Sequence, residues 1–270
     1  MRIDAHQHFW HLKDRKGEWP PAELAAIYRD FTPDDLLPLL KEANMDGTIL
    51  VQTMERAEDT AFMLALASEH DFIKGVVGWV DLSASDAREQ IARLAANPMI
   101  KGLRPMLQSM PDDDWIAKPS LDQAIATMIA LDLAFDALVM PWQLRGLLQR
   151  VERSPDLRVV IDHGAKPEIA QGRFINWQKD MARLAAYPHV HCKLSGLLTE
   201  AGAQKPEALR PYIETILELF GPDRVLWGSD WPVVRLAGDY MRWLSQCEEI
   251  VLREHHEHVF GGNAARFYRI

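Results

Sequence analysis

Cysteine is nearly missing from this chain of 270 residues, with Cys192 and Cys247 its only two. Two cysteines cannot build a disulfide framework or a thiolate zinc centre, and their scarcity suits a reducing compartment. Positive charge is also short: 30 Lys and Arg stand against 39 Asp and Glu, a formal net charge of -9. Phosphate binding needs a concentrated basic surface, so nucleic acid is excluded as the main partner. No apolar run is long enough to span a bilayer, and no signal peptide precedes the first apolar segment. The expectation is a cytoplasmic protein with no membrane partner. A glycine-rich phosphate loop is lacking after the first apolar run. Its absence argues against an open doubly wound sheet built around a nucleotide.

What is present is a regular alternation. Short runs rich in Val, Ile and Leu predict strands over Ile3–His8, Gly47–Thr53, Lys74–Asp81, Ile100–Met106, Ala134–Met140, Arg158–His163, His191–Gly196 and Arg224–Asp230. Amphipathic stretches fill the gaps. Thr32-Pro33-Asp34-Asp35 reads as an N-cap, an N1 proline and an acidic first turn. Apolar residues at helical spacing follow Ser85, and Asn97-Pro98 stops that helix. Similar patterns cover Pro119–Leu131, Trp142–Arg153, Phe174–Ala186, Pro206–Phe220 and Asp239–Arg253. This repetition predicts an α/β fold, a (β/α)8 TIM-type barrel, as one domain over residues 1–270. The connection Phe9–Phe31 is unusually long and carries Trp10, Trp19, Pro20 and Pro21. Such a loop serves either as a lid or binding wall, or as an ordered surface segment with buried tryptophans.

Polar residues collect where a parallel barrel keeps its reaction site, at the C-terminal ends of the strands. His6 and His8 close the first strand, and a side-chain period of two places both imidazoles on one face, roughly 6–7 Å apart along the backbone. Gln52 ends the second strand, Trp79 and Asp81 the third, and Arg104 the fourth. Asp162-His163, followed by Lys166, ends the sixth; Lys193 and Ser195 end the seventh; Asp230, before Trp231, ends the eighth. Running an apolar strand into a charge is costly unless that charge is paired, ligated or wetted by a cleft. His6, His8, His163 and Asp230 are therefore candidate ligands or catalytic groups. Lys193, Asp4 and Asp162 are either that or their hydrogen-bonding partners. His11 and His70 stay ambiguous, and His255, His256 and His258 suit a solvated helix face.

The segments Asp4-Ala5-His6-Gln7-His8-Phe9-Trp10, Asp162-His163-Gly164-Ala165-Lys166-Pro167, Lys193-Leu194-Ser195-Gly196-Leu197 and Gly228-Ser229-Asp230-Trp231-Pro232 resemble the amidohydrolase superfamily. More narrowly, they resemble its sugar-lactonase branch, which includes L-fuconolactonase, L-rhamnonolactonase and 4-sulfomuconolactone hydrolase. The closing Gly262-Asn263-Ala264-Ala265-Arg266-Phe267-Tyr268 fits the same group. The resemblance implies a distorted barrel with the chemistry on His6, His8, His163 and Asp230. Many members carry two metals bridged by a fourth-strand lysine or glutamate, with a histidine on the fifth strand. Here those ends read Arg104 and Val139-Met140-Pro141, and Lys101 sits at the wrong end of its strand. One divalent metal, zinc by donor type, held by His6, His8, Asp230 and His163, is then the most the site would take, and turnover without it stays open.

The expected activity is hydrolysis of a small sugar lactone, an aldono-1,4-lactone such as L-fuconolactone. Asp230 would act as general base on water, with His163 and Arg104 stabilising the oxyanion. Trp10, Trp79 and Trp231, together with Gln52, Arg104 and Lys166, would form the substrate wall. The alternative is a metal-dependent decarboxylase of a small unsaturated or aromatic acid; a non-catalytic barrel that senses a sugar acid is a third. Association into a homo-oligomer is compatible with the sequence.

Overall fold

The computed structural model describes residues 1–270, the Pro206 side chain excepted. Eight strands form one parallel sheet in sequence order: β1 Ile3–Gln7, β2 Gly47–Val51, β3 Ile73–Gly78, β4 Ile100–Leu103, β5 Ala134–Ala137, β6 Val159–Ile161, β7 Val190–Leu194 and β8 Val225–Trp227. Just past β8 the sheet closes on β1, where His8 N–H donates to the Trp231 carbonyl (2.8 Å) and Asp230 N–H to that of His6 (2.8 Å). The barrel is the predicted one. Every predicted strand is present, and all eight stop short at their C-terminal ends.

The helices are α1 Pro33–Glu42, α2 Ala57–Glu69, α3 Ala87–Ala95, α4 Asp122–Ala130 and α5 Leu144–Arg153, then α6 Ile175–Ala185, α7 Leu197–Ala201, α8 Arg210–Phe220, α9 Tyr240–Ile250 and α10 Asn263–Tyr268. The predicted start of α1 is realised as a capping box. Asp35 accepts from Thr32 N–H at 2.9 Å while Pro33 takes N1. Asp239 caps α9 by accepting from Arg242 N–H (2.9 Å). Among the described residues, no helix is long and apolar enough to cross a membrane.

Two apolar layers explain the continuous Val, Ile and Leu runs, because both faces of these strands are covered. Ile3, Ala5, Ile49, Val51, Val77, Val160 and Leu226 fill the barrel, and Phe267 and Tyr268 of α10 plug its N-terminal end. Leu50, Val76, Leu103, Phe135 and Ile161 face outward into the helices.

Strict alternation from Ile3 and Ala5 would turn Gln7 into the barrel and His6 away from it. The register of β1 against β2 slips between Asp4 and Gln7, a bulge-type irregularity. That slip aims His6 into the mouth, and His8 follows it.

Candidate active site

Four groups from three strand ends meet at the C-terminal mouth. Asp230 Oδ1 lies 3.3 Å from His8 Nε2, 3.8 Å from His6 Nε2 and 4.0 Å from His163 Nε2. The rings of His6 and His8 stand edge to face at 4.9 Å, and those of His6 and His163 at 4.5 Å. Backbone geometry here is unusual. Asp230 takes a φ of 56°, and the turn after β6 runs left-handed through His163 (53°), Gly164 (57°), Ala165 (62°) and Lys166 (47°). Non-glycine residues hold such angles only where their surroundings enforce them. Trp177 braces that turn by donating its indole N–H to the Gly164 carbonyl (2.7 Å).

Beneath the four lies a buried ionic layer. Lys193 Nζ sits 2.5 Å from Asp136 Oδ2, 3.0 Å from Asp162 Oδ1 and 3.1 Å from His6 Nδ1. Tyr268 donates to the same Asp136 oxygen (2.7 Å), tying α10 to the floor of the site. Arg104 Nη1 lies 3.3 Å from both Asp162 Oδ2 and His6 Nε2, and its other guanidinium nitrogen donates to the Gln52 carbonyl. Lys193 and Asp162 thus hold His6 and Arg104 from below. Asp4 accepts from Ser229 N–H (2.8 Å) and His6 N–H (3.2 Å), pinning the strand ends that carry Asp230 and His6.

Electrostatics separate the roles. Burial opposes charge on Asp230, but the facing His163, His8 and His6 outweigh it and hold the carboxyl well below the usual carboxylate range. Burial pushes His163 down to about 4 against the pull of Asp230 and Asp162, so the imidazole is neutral near pH 7. His6 is held well below its ordinary value, first by burial and then by the Lys193 charge. Burial also lifts Asp4 to about 6.

The donor set fits a metal ion. A carbonyl oxygen only accepts, so His8 Nδ1, 2.7 Å from the Val51 oxygen, carries the ring proton. The lone pair of His8 Nε2 then faces a carboxylate oxygen, an arrangement that calls for a proton or a cation between them. His6, His8 and Asp230 offer ligand atoms within 4.8 Å of one another. Nitrogen and carboxylate donors of this kind suit zinc. Arg104 Nη1 lies 3.3 Å from His6 Nε2, one of these ligand atoms.

Above these groups opens a cleft of about 350 Å³, a size that admits a small ring. His8, His163, Asp230, Arg104 and Lys166 line it. Four residues expected at the substrate wall do not. Gln52 is wholly buried and donates its amide to the Arg104 carbonyl (2.7 Å), supporting the arginine from behind. Trp10 is buried against Trp19 and Phe31, and Trp231 against Phe9 and Phe31. Their rings anchor the long Phe9–Phe31 connection, whose ends pair through Trp10 and Phe31. A loop of that length needs its own apolar anchor, and the tryptophans supply it. Trp79 is half-buried and absent from the cleft lining, and its backbone N–H donates to the Thr60 hydroxyl of α2 (3.0 Å). Asp81, also at a predicted strand end, is exposed and caps Ser83.

Sequence reasoning missed other parts of the wall: Gln108 and Ser109 after β4, and Thr199 and Glu200 on α7. Trp19 of the long connection also reaches it. Polar side chains on loops resemble solvated ones until a cleft is known. The one available signal was that each lies shortly beyond a strand with a charged end.

Comparison with known proteins shows the family. The sequence matches the family described as "Amidohydrolase" over residues 3–270. It is 54% identical, over 100% of this chain and 96% of the relative, to a protein of Burkholderia ambifaria named L-fucono-1,5-lactonase. A Burkholderia multivorans protein of the same name is 33% identical over the same shares. A crystal structure of a Burkholderia multivorans amidohydrolase with bound zinc superposes with a TM-score of 0.94 at 34% identity, covering 100% of this chain and 99% of that one. With the barrel, the strand-end histidines and the eighth-strand aspartate all in place, the chain belongs to the amidohydrolase family.

Proposed function

We propose that this chain hydrolyses the ring ester of a neutral sugar lactone, releasing the sugar acid, with L-fucono-1,5-lactone as the first substrate to test. The resemblance in the sequence suggested the five-membered 1,4 ring, whereas the names of both relatives specify the 1,5 ring. The observation that carries the reading is the convergence on Asp230 Oδ1 of His8, His6 and His163 at the floor of a ring-sized cleft.

Asp230, ionised near neutral pH, accepts a proton from water as that water attacks the lactone carbonyl. The Arg104 guanidinium and the His163 ring, both lining the cleft, stabilise the oxygen that gains charge. Asp230, now protonated, returns its proton to the departing ring oxygen. Ser195 Oγ, 2.8 Å from His163 Nδ1, holds the ring for this role. His6, His8 and Asp230 would hold one zinc ion, which when bound lowers the pKa of a coordinated water and polarises a carbonyl.

A pH-indicator assay over a panel of aldonolactones tests the reading, run beside a carbon dioxide assay on small aromatic acids. Acid release from neutral lactones without carbon dioxide supports it. Carbon dioxide release with inert lactones would assign the site to decarboxylation instead.

A further inference from the structure

The cleft holds a fixed carboxylate that the reaction does not use. Glu200 Oε1 lies 2.5 Å from Lys166 Nζ, and both side chains are about one-fifth exposed at the cleft wall (18% and 22%). Each partner is built rigidly onto the catalytic His163. Lys166 ends the left-handed turn that begins at His163, and its N–H donates to the His163 carbonyl (2.9 Å). Glu200 rides on α7, whose entry residue Gly196 packs against the His163 ring so closely that an added Cβ would lie 2.6 Å from it. The backbone segments that carry the pair are therefore fixed against His163.

The pair also decides the charge that the cleft presents. Among its lining residues, Lys166 and Arg104 are the lysine and arginine side chains. Arg104 is committed to Asp162 and to the Gln52 carbonyl, and Lys166 to Glu200. With Arg104 directed at the reacting oxygen and Lys166 at Glu200, neither cation is left for a separate substrate carboxylate. A paired carboxylate keeps spare lone pairs that accept from sugar hydroxyls, and the paired ammonium keeps protons to donate to them. The same carboxylate repels a second anion held a few ångströms away.

We propose that Glu200 is a specificity-determining residue: paired with Lys166, it binds the hydroxyls of a neutral sugar lactone and rejects lactones that carry a carboxylate. This rests on the lactonase reading above and names the residue that sets the charge class of its substrate. A matched pair of probes tests it: L-galactono-1,4-lactone and the galactaro-1,4-lactone of the same configuration, in which a carboxylate replaces the terminal CH2OH. Wild-type protein favours the neutral probe in kcat/KM. Glu200→Gln keeps the size and much of the hydrogen bonding but frees the Lys166 charge. It shifts the preference toward the acidic probe by about tenfold or more, with the change largely in KM. Lys166→Gln weakens the neutral probe and gains nothing on the acidic one. A wild-type preference for the acidic probe, or an unchanged ratio in folded Glu200→Gln, overturns the proposal. Wild-type protein inert on both probes and on every other lactone refutes the lactonase reading itself, and the inference falls with it.

Discussion

Gly196 packs its backbone directly on the ring of His163. Its φ is +66°, and an added Cβ would lie 2.6 Å from both Cγ and Nδ1 of the imidazole. No side chain fits there without moving the ring or the start of α7. Gly196→Ala is expected to melt at a lower temperature, since a left-handed alanine alone costs about 1–2 kcal/mol. Its turnover is expected to fall on the order of 10²-fold, the scale of a small misplacement of a catalytic group. Thermal melts and initial rates on one preparation check both. Unchanged turnover would show that the contact does not set the ring.

His191 gives a pH prediction away from the chemistry. It lies on β7 against Phe267 of α10 (4.7 Å between ring centroids), and burial pushes it down to about 4. The unfolded chain protonates this group near 6.5, so between about 6.5 and 4 the unfolded state binds the extra proton. Stability is then lost as the pH falls through that window. His191→Phe removes this contribution, and its melting temperature is expected to drop less than that of the wild type between pH 7 and pH 4.5. The contribution is bounded by about 1.4 kcal/mol per pKa unit. Parallel slopes for the two proteins would contradict it.

Zinc binding is testable through stability alone. If His6, His8 and Asp230 hold the ion, zinc at about 100 times its Kd stabilises the folded protein by about 2.7 kcal/mol. His8→Gln is expected to abolish most of the shift. Calorimetric melts with and without zinc after chelation measure this. A shift of equal size in His8→Gln would move the ion elsewhere.

The barrel was legible because its strands are covered on both faces and so read as Val, Ile and Leu runs. Their ends were not. The run Arg224–Asp230 looks continuous, yet β8 stops at Trp227 and Gly228 lies hard against His6, where a Cβ would be 2.7 Å from the histidine Cβ. The aim of His6 was likewise hidden, because the slip in β1 depends on pairing with β2. Polar side chains stood out at His6, His8, His163, Arg104 and Asp230 because placing such groups after apolar strands needs a compensating site. Tryptophans carry no such mark. Trp10 and Trp231 serve the core with the same residue type that would serve a substrate, and only the packing of Phe31 between them decides. Glu200 was invisible for the opposite reason, being an ordinary acidic residue on a helix until Lys166 closes on it.

The most direct test compares initial rates of L-fucono-1,5-lactone hydrolysis by the wild type and Asp230→Asn, with circular dichroism confirming that both are folded. The account predicts rapid opening by the wild type and a loss on the order of 10²-fold or more in the variant. Near-normal turnover by folded Asp230→Asn would contradict it.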